Sequence, residues 1–163
     1  MRLFGPVHSA LLSLTALAAA LLAALCRRRP AMRRAVRLAL GLGIMLNEIA
    51  WWIFRYSHEG IHLANLPLQL CDLTVWATVL ACLSLRPPIV EFAYFAGLAG
   101  AGMALLTPDL WSPWPSYPAI YFFVAHGGIV IAIVALVFGD IAPLRPGALW
   151  RAYVMLLGFA ALA

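Results

Sequence analysis

Six apolar runs, each close to the length that crosses a lipid bilayer, take up nearly all of this 163-residue chain. They cover Pro6–Cys26, Ala35–Tyr56, Asn65–Leu85, Ile89–Thr107, Pro118–Phe138 and Ala148–Ala163, and Arg, Pro and Gly mark several of the turns between them. A hydrocarbon core about 30 Å thick is crossed by about 20 helical residues. Lipid offers no partner to a backbone N–H or C=O, so such runs must satisfy their own hydrogen bonds as helices. The chain is 65% hydrophobic and 10% charged, and its mean hydropathy is +0.96. A soluble domain carries about 25% charged residues, so this chain lacks the polar coat of a globule. The expected fold is all-α: a polytopic transmembrane bundle of about six helices forming one domain.

The first run could be mistaken for a secretion signal, and Ala23-Ala24-Leu25-Cys26 resembles a lipoprotein cleavage box. Leu25 is too large for the residue before the cut, and three arginines follow Cys26 at once. A retained first helix is the better reading.

The net charge of +5 comes from arginine, since there is no lysine. The first loop and its margin hold Arg27, Arg28, Arg29, Arg33, Arg34 and Arg37; the third and fifth add Arg86, Arg145 and Arg151. The opposite side has Arg2 and Arg55. Arginines between spans set topology rather than bind nucleic acid, and positive charge stays cytoplasmic. The N-terminus is therefore expected outside the cytoplasm. Trp111, Trp114, Tyr117 and Tyr121, joined by Trp51, Trp52 and Tyr56, would form an aromatic belt on that outer side. Membrane lipids are the expected partners.

Ionisable groups within a span are costly and are functional candidates by default. Glu48, Cys71, Asp72 and His126 qualify, whereas Glu91 reads as interfacial and of no chemical interest. From the helical rise, Glu48 and His126 should lie about 12 Å, and Cys71 about 9 Å, below the outer ends of their runs. Such agreement suggests a shared cavity opening outward. Each residue also has a plainer reading. Glu48 with Asn47 would clamp two helices, Cys71 would be a small packing residue, Asp72 would satisfy a helix start, and His126 would be a structural hydrogen bonder beside Gly127-Gly128. The functional reading joins them: a histidine activates a thiol, and a carboxylate orients the imidazole. Cys26 and Cys82 form no metal or redox spacing with Cys71.

His58-Glu59-Gly60-Ile61-His62 matches H-E-x-x-H, which on a helix presents two histidines to zinc and a glutamate as base. Here it falls in a short loop, carries a helix-weakening glycine and has no clear third ligand beyond Asp109 or His126. A chance match in a polar loop is the simpler reading, and no cofactor is expected.

Leu66-Pro67-Leu68-Gln69-Leu70-Cys71-Asp72-Leu73 closely resembles the signature of the bacterial YwaF-type membrane protein family. So do Phe92–Ala101, Leu106-Thr107-Pro108-Asp109-Leu110 and His126-Gly127, in the same order, and Glu48 fits the pattern. The resemblance implies a multi-pass protein of the bacterial cytoplasmic membrane with about seven helices. Family members carry an Asn-Tyr and a Trp-Pro-Trp-Tyr motif in their later part. Neither appears here, so the chain is expected to be truncated at its C-terminal side.

The family's animal relatives include a lipid acyltransferase in which the cysteine of the matching motif is regarded as the nucleophile. The resemblance thus implies Cys71 as nucleophile and His126 as base, with Glu48, Asp72, Thr107 and Asp109 shaping the site. The H-E-x-x-H loop is not part of that pattern. The expected function is a lipid-directed acyltransferase or esterase. The alternatives are a non-enzymatic carrier of small solutes or lipids and, behind it, a zinc-dependent hydrolase.

Overall fold

The computed structural model describes residues 2–60 and 69–162. Among them there are helices and no strand. The helices are α1 (Pro6–Arg28), α2 (Arg33–Glu59), α3 (Leu70–Ser84), α4 (Pro87–Phe92), α5 (Leu98–Leu106), α6 (Tyr117–Phe138) and α7 (Ala148–Leu162). A π-helical segment, Ala93–Gly97, joins α4 to α5 in one continuous rod. The result is six rods, as the apolar runs led one to expect. The rods Pro6–Arg28, Pro30–Glu59, Pro87–Leu106 and Tyr117–Phe138 are long and apolar enough to cross a membrane. The helices α3 and α7 have 15 residues each, about 22 Å of rise, and fall short of a full crossing.

Two boundaries differ from the expected ones in ways that matter. The third run was drawn from Asn65, but α3 opens at Leu70 behind an extended Gln69. Cys71 is therefore its second residue rather than a site six residues down; positions 65–68 lie outside the described residues. The second run was ended at Tyr56, but α2 continues through Ser57 and His58 to Glu59. The first two residues of the H-E-x-x-H match thus belong to a helix end, not a loop.

Helix α6 is the hub, packing against α1, α2, α3 and α5. Small residues permit this. A Cβ built on Gly127 would come within 3.1 Å of Thr15 on α1, and one on Gly128 within 3.1 Å of Ile44 on α2. In lipid, where apolar surface gains nothing by leaving the solvent, such close approach is what holds helices together. Helix α1 meets the hub through buried Ala19, Ala23 and Cys26 while Leu14, Leu17 and Leu21 stay exposed, the stripe that a lipid-facing helix requires.

Buried His8 braces the start of α1. The Phe4 N–H donates to its Nδ1 at 2.9 Å, and its Nε2 lies 2.7 Å from the Leu105 carbonyl at the end of α5. Because Nδ1 accepts, Nε2 carries the proton and donates it.

At the arginine-rich end, Arg37 donates to the carbonyls of Cys82 and Leu83 at the end of α3, at 2.5 and 3.1 Å. Glu91 is only 1% exposed. Arg145 reaches it at 2.9 and 3.4 Å, and Arg151 at 2.7 and 2.8 Å. Glu91 was expected to be an idle interfacial residue. Instead it fastens α7, and the turn before it, to α4. Two forked guanidiniums fill the acceptor sites of one carboxylate.

Candidate functional site

Helices α2, α3 and α6, with the end of α5 and the turn after it, enclose a cavity of about 150 Å³. Cys71, Asp72, Thr107, Asp109 and His126 all line it. Five of the six residues singled out as catalytic or site-shaping are thus brought together from three separate rods. The short α3 explains how. Its N-terminus, not its middle, lies at the level of His126, because a helix of about 22 Å anchored at the arginine-rich end stops about 8 Å short of the opposite face of a 30 Å core.

Cys71 is exposed to the cavity end of α3. The helix start is secured by a reciprocal pair. The Gln69 side chain accepts from the Asp72 N–H, and the Asp72 carboxylate accepts from the Gln69 N–H at 3.3 Å. Asp72 thus serves the helix start as well as lining the cavity. The N–H groups of Leu70 and Cys71 come first in the helix and have no carbonyl within it to pair with. The Cys71 carbonyl accepts from the Thr74 hydroxyl at 2.9 Å.

His126 is 8% exposed, and its Nδ1 lies 2.8 Å from the Phe122 carbonyl one turn earlier. A carbonyl oxygen can only accept, so Nδ1 carries the proton and Nε2 of the neutral ring keeps its lone pair. That Nε2 is buried with no hydrogen-bond partner. A buried polar atom left unsatisfied is rare and costly, and here it belongs to the ring that lines the cavity with Cys71.

Glu48 does not line the cavity. It is fully buried, and its two oxygens accept from the Tyr121 hydroxyl and the Trp52 indole N–H, each at 2.7 Å. This is the interhelical clamp, made to Tyr121 on α6 and braced by Trp52 one turn on along α2, rather than with Asn47. Glu48 meets the cavity through Tyr121, which lines it.

Trp51 and Tyr121 are 5% and 7% exposed and stack at 4.3 Å with planes 10° apart. They are not belt residues, as expected from their places near helix ends, but an inner wall of the cavity. Trp111, 65% exposed, stacks against Trp51 at 5.9 Å. Arg55 and Gln69 complete the polar lining. None of these five was read from the sequence as a site residue, because which side chains meet across rods is not visible in any single helix.

His58 Nδ1 approaches the Phe54 carbonyl at 2.8 Å, and Glu59 pairs with Arg55 at 3.2 Å. His62 lies outside the described residues. Among the described residues, no group of three or more His, Cys, Asp or Glu side chains is placed to hold a metal ion.

None of the curated proteins and no solved structure matches the chain. A family profile does, over residues 3–163. The chain belongs to the TMEM164 family, a family of transmembrane proteins.

Proposed function

We propose that the chain is a lipid-directed acyltransferase or esterase with Cys71 as nucleophile and His126 as base. The observation that carries this reading is the buried, unpartnered Nε2 of His126 in a cavity that Cys71 also lines. Resemblance to YwaF-type proteins and their acyltransferase relatives supports it. So does the setting, in a membrane protein near the depth of lipid ester groups.

His126 Nε2 takes the Cys71 proton, and the sulfur attacks the carbonyl carbon of a lipid ester. The carbonyl oxygen becomes an oxyanion, for which the open N–H groups of Leu70 and Cys71 are the donors at hand. Collapse breaks the ester C–O bond. The departing lysolipid oxygen receives the proton from His126, leaving the acyl group as a thioester on Cys71. A lysolipid hydroxyl or water then attacks that thioester while His126 takes its proton. The C–S bond breaks, and the sulfur is reprotonated. The Phe122 carbonyl fixes the ring and its tautomer throughout, and Trp51 and Tyr121 give the cavity an aromatic wall.

In the bacterial cytoplasmic membrane, with the N-terminus outside, the cavity opens toward the outer leaflet. Labelling of cysteines introduced beside Ser57 from outside, and beside Arg33 only after permeabilisation, is the expected pattern. For the chemistry, the purified chain in phospholipid nanodiscs should gain an acyl mass that hydroxylamine releases and that Cys71→Ser abolishes. No adduct on the parent or on His126→Ala, together with lipid exchange between vesicles, would replace the enzyme with the carrier.

A further inference from the structure

A second cavity, about 220 Å³, lies between the π-helical segment with α5 on one side and α7 on the other. Leu70, Phe95, Ala96, Ala99, Gly100 and Tyr153 are among its walls. Two features tie it to the cavity of Cys71. On α3, Leu70 borders the second cavity and the next residue, Cys71, borders the first. On the neighbouring rod, Ala96 and Gly100 border the second, and Ala104 and Thr107 the first. Spacings of four, four and three residues place these on one helical face. These small residues trace a line of about 16 Å along the rod, from the wall of the Cys71 cavity to the wall of the second. That is close to half of a 30 Å hydrocarbon core, the reach of one leaflet.

The path is polar at one end, where His126 offers its unpartnered Nε2, and apolar at the other. A Cβ built on Gly100 meets nothing within 4 Å, so the glycine leaves space that no neighbour fills. A larger groove on the other flank of α7, about 380 Å³ and lined by Leu73, Trp76 and Leu80, is the competing site; like the second cavity it has no lining residue in common with the Cys71 cavity, and it lacks the small residues Ala96, Ala99 and Gly100.

We propose that the groove along Ala96, Gly100 and α7 holds the acyl chain of the ester whose carbonyl reaches Cys71, and that Gly100 sets the chain length accepted. The inference rests on the acyl-transfer reading above. Its occupant is a saturated or unsaturated hydrocarbon tail, since only an apolar chain with a polar head fits both ends of the path.

Alkyl methanethiosulfonates with two-, eight- and sixteen-carbon chains test this on the full chain in nanodiscs, by their rates at Cys71. Gly100→Phe fills the groove. It should slow the sixteen-carbon probe by roughly tenfold or more, since the ring takes the space of the tail and the reacting sulfur is no longer held in register with Cys71. The two-carbon probe should change by less than about twofold, and Leu80→Phe in the other groove should alter neither. Equal slowing of all chain lengths, or of none, would overturn the groove and leave the Cys71–His126 pair standing. Inertness of Cys71 toward every probe, including the two-carbon one, would overturn the catalytic reading and the groove with it. If Gly100→Phe does not fold, Tyr153→Ala decides by opening the opposite wall. An unchanged preference for the long probe in that variant overturns the proposal.

Discussion

Both ends of the bundle bury polar groups, but they differ in whether one of those groups is left open beside a cavity. At the arginine-rich end Glu91 is buried, but both its oxygens are taken by Arg145 and Arg151, and the last carbonyls of α3 are capped by Arg37. Both oxygens of that carboxylate are thus committed to holding helices together. At the other end His126 buries a nitrogen with no partner, in a cavity that also holds an exposed thiol. A closed polar cluster contributes to holding helices together, whereas an open one costs stability and persists where it serves chemistry. The charge-rich end is therefore the structural one, and the charge-poor end is the candidate site.

The contrast breaks if substitutions at the two ends have the same consequences. Glu91→Ala should show the largest loss of stability, because two guanidiniums would face one another with no carboxylate between them. The melting temperature in detergent should fall by roughly 5 °C or more, with α7 losing protection from hydrogen exchange first. Cys71 in the molecules still folded should react with a small thiol probe as before.

His8→Ala comes next, by about 2–3 kcal/mol, since it opens a void and leaves the Phe4 N–H and the Leu105 carbonyl unpaired. This would show that the site end also contains a closed strut. Tyr121→Phe removes one donor from Glu48 and should cost about 1–2 kcal/mol in denaturant titrations. Thr107→Ala and Asp109→Asn, at exposed positions, should move stability by about 0.5 kcal/mol or less. They should nonetheless change the rate of acyl-adduct formation, which a residue with no part in the site would not.

Much of this was legible in the residues. The number of rods followed from apolar run length and the distribution of arginines, because lipid leaves the backbone no other choice. The gathering of Cys71, Asp72, Thr107, Asp109 and His126 followed from ordered motifs. Cys71 and His126 do line one cavity, but Cys71 is not at the depth expected from its run, and Glu48 lies outside the cavity lining. The expected depth placed Cys71 partway down a long helix, whereas α3 is short and Cys71 sits at its start.

Glu91 was misread because its partners lie 54 and 60 residues away and looked like topology markers. Trp51 and Tyr121 were misread because aromatic residues near helix ends suggest a belt. Only the packing of α2 against α6 turns them inward. Local pattern reports which residues are apolar or chargeable; which of them meet across rods depends on register, and one sequence does not display it.

The most direct test is the rate at which Cys71 reacts with a lipid-like thiol probe near neutral pH, in the parent and in His126→Ala, in nanodiscs with helix content verified for both. The account requires rapid labelling in the parent, with Cys26 and Cys82 inert because both are fully buried. Loss of the imidazole should slow Cys71 by roughly a hundredfold, the usual contribution of a positioned base. Sluggish labelling of Cys71 in the parent, unchanged when His126 is removed, would contradict it.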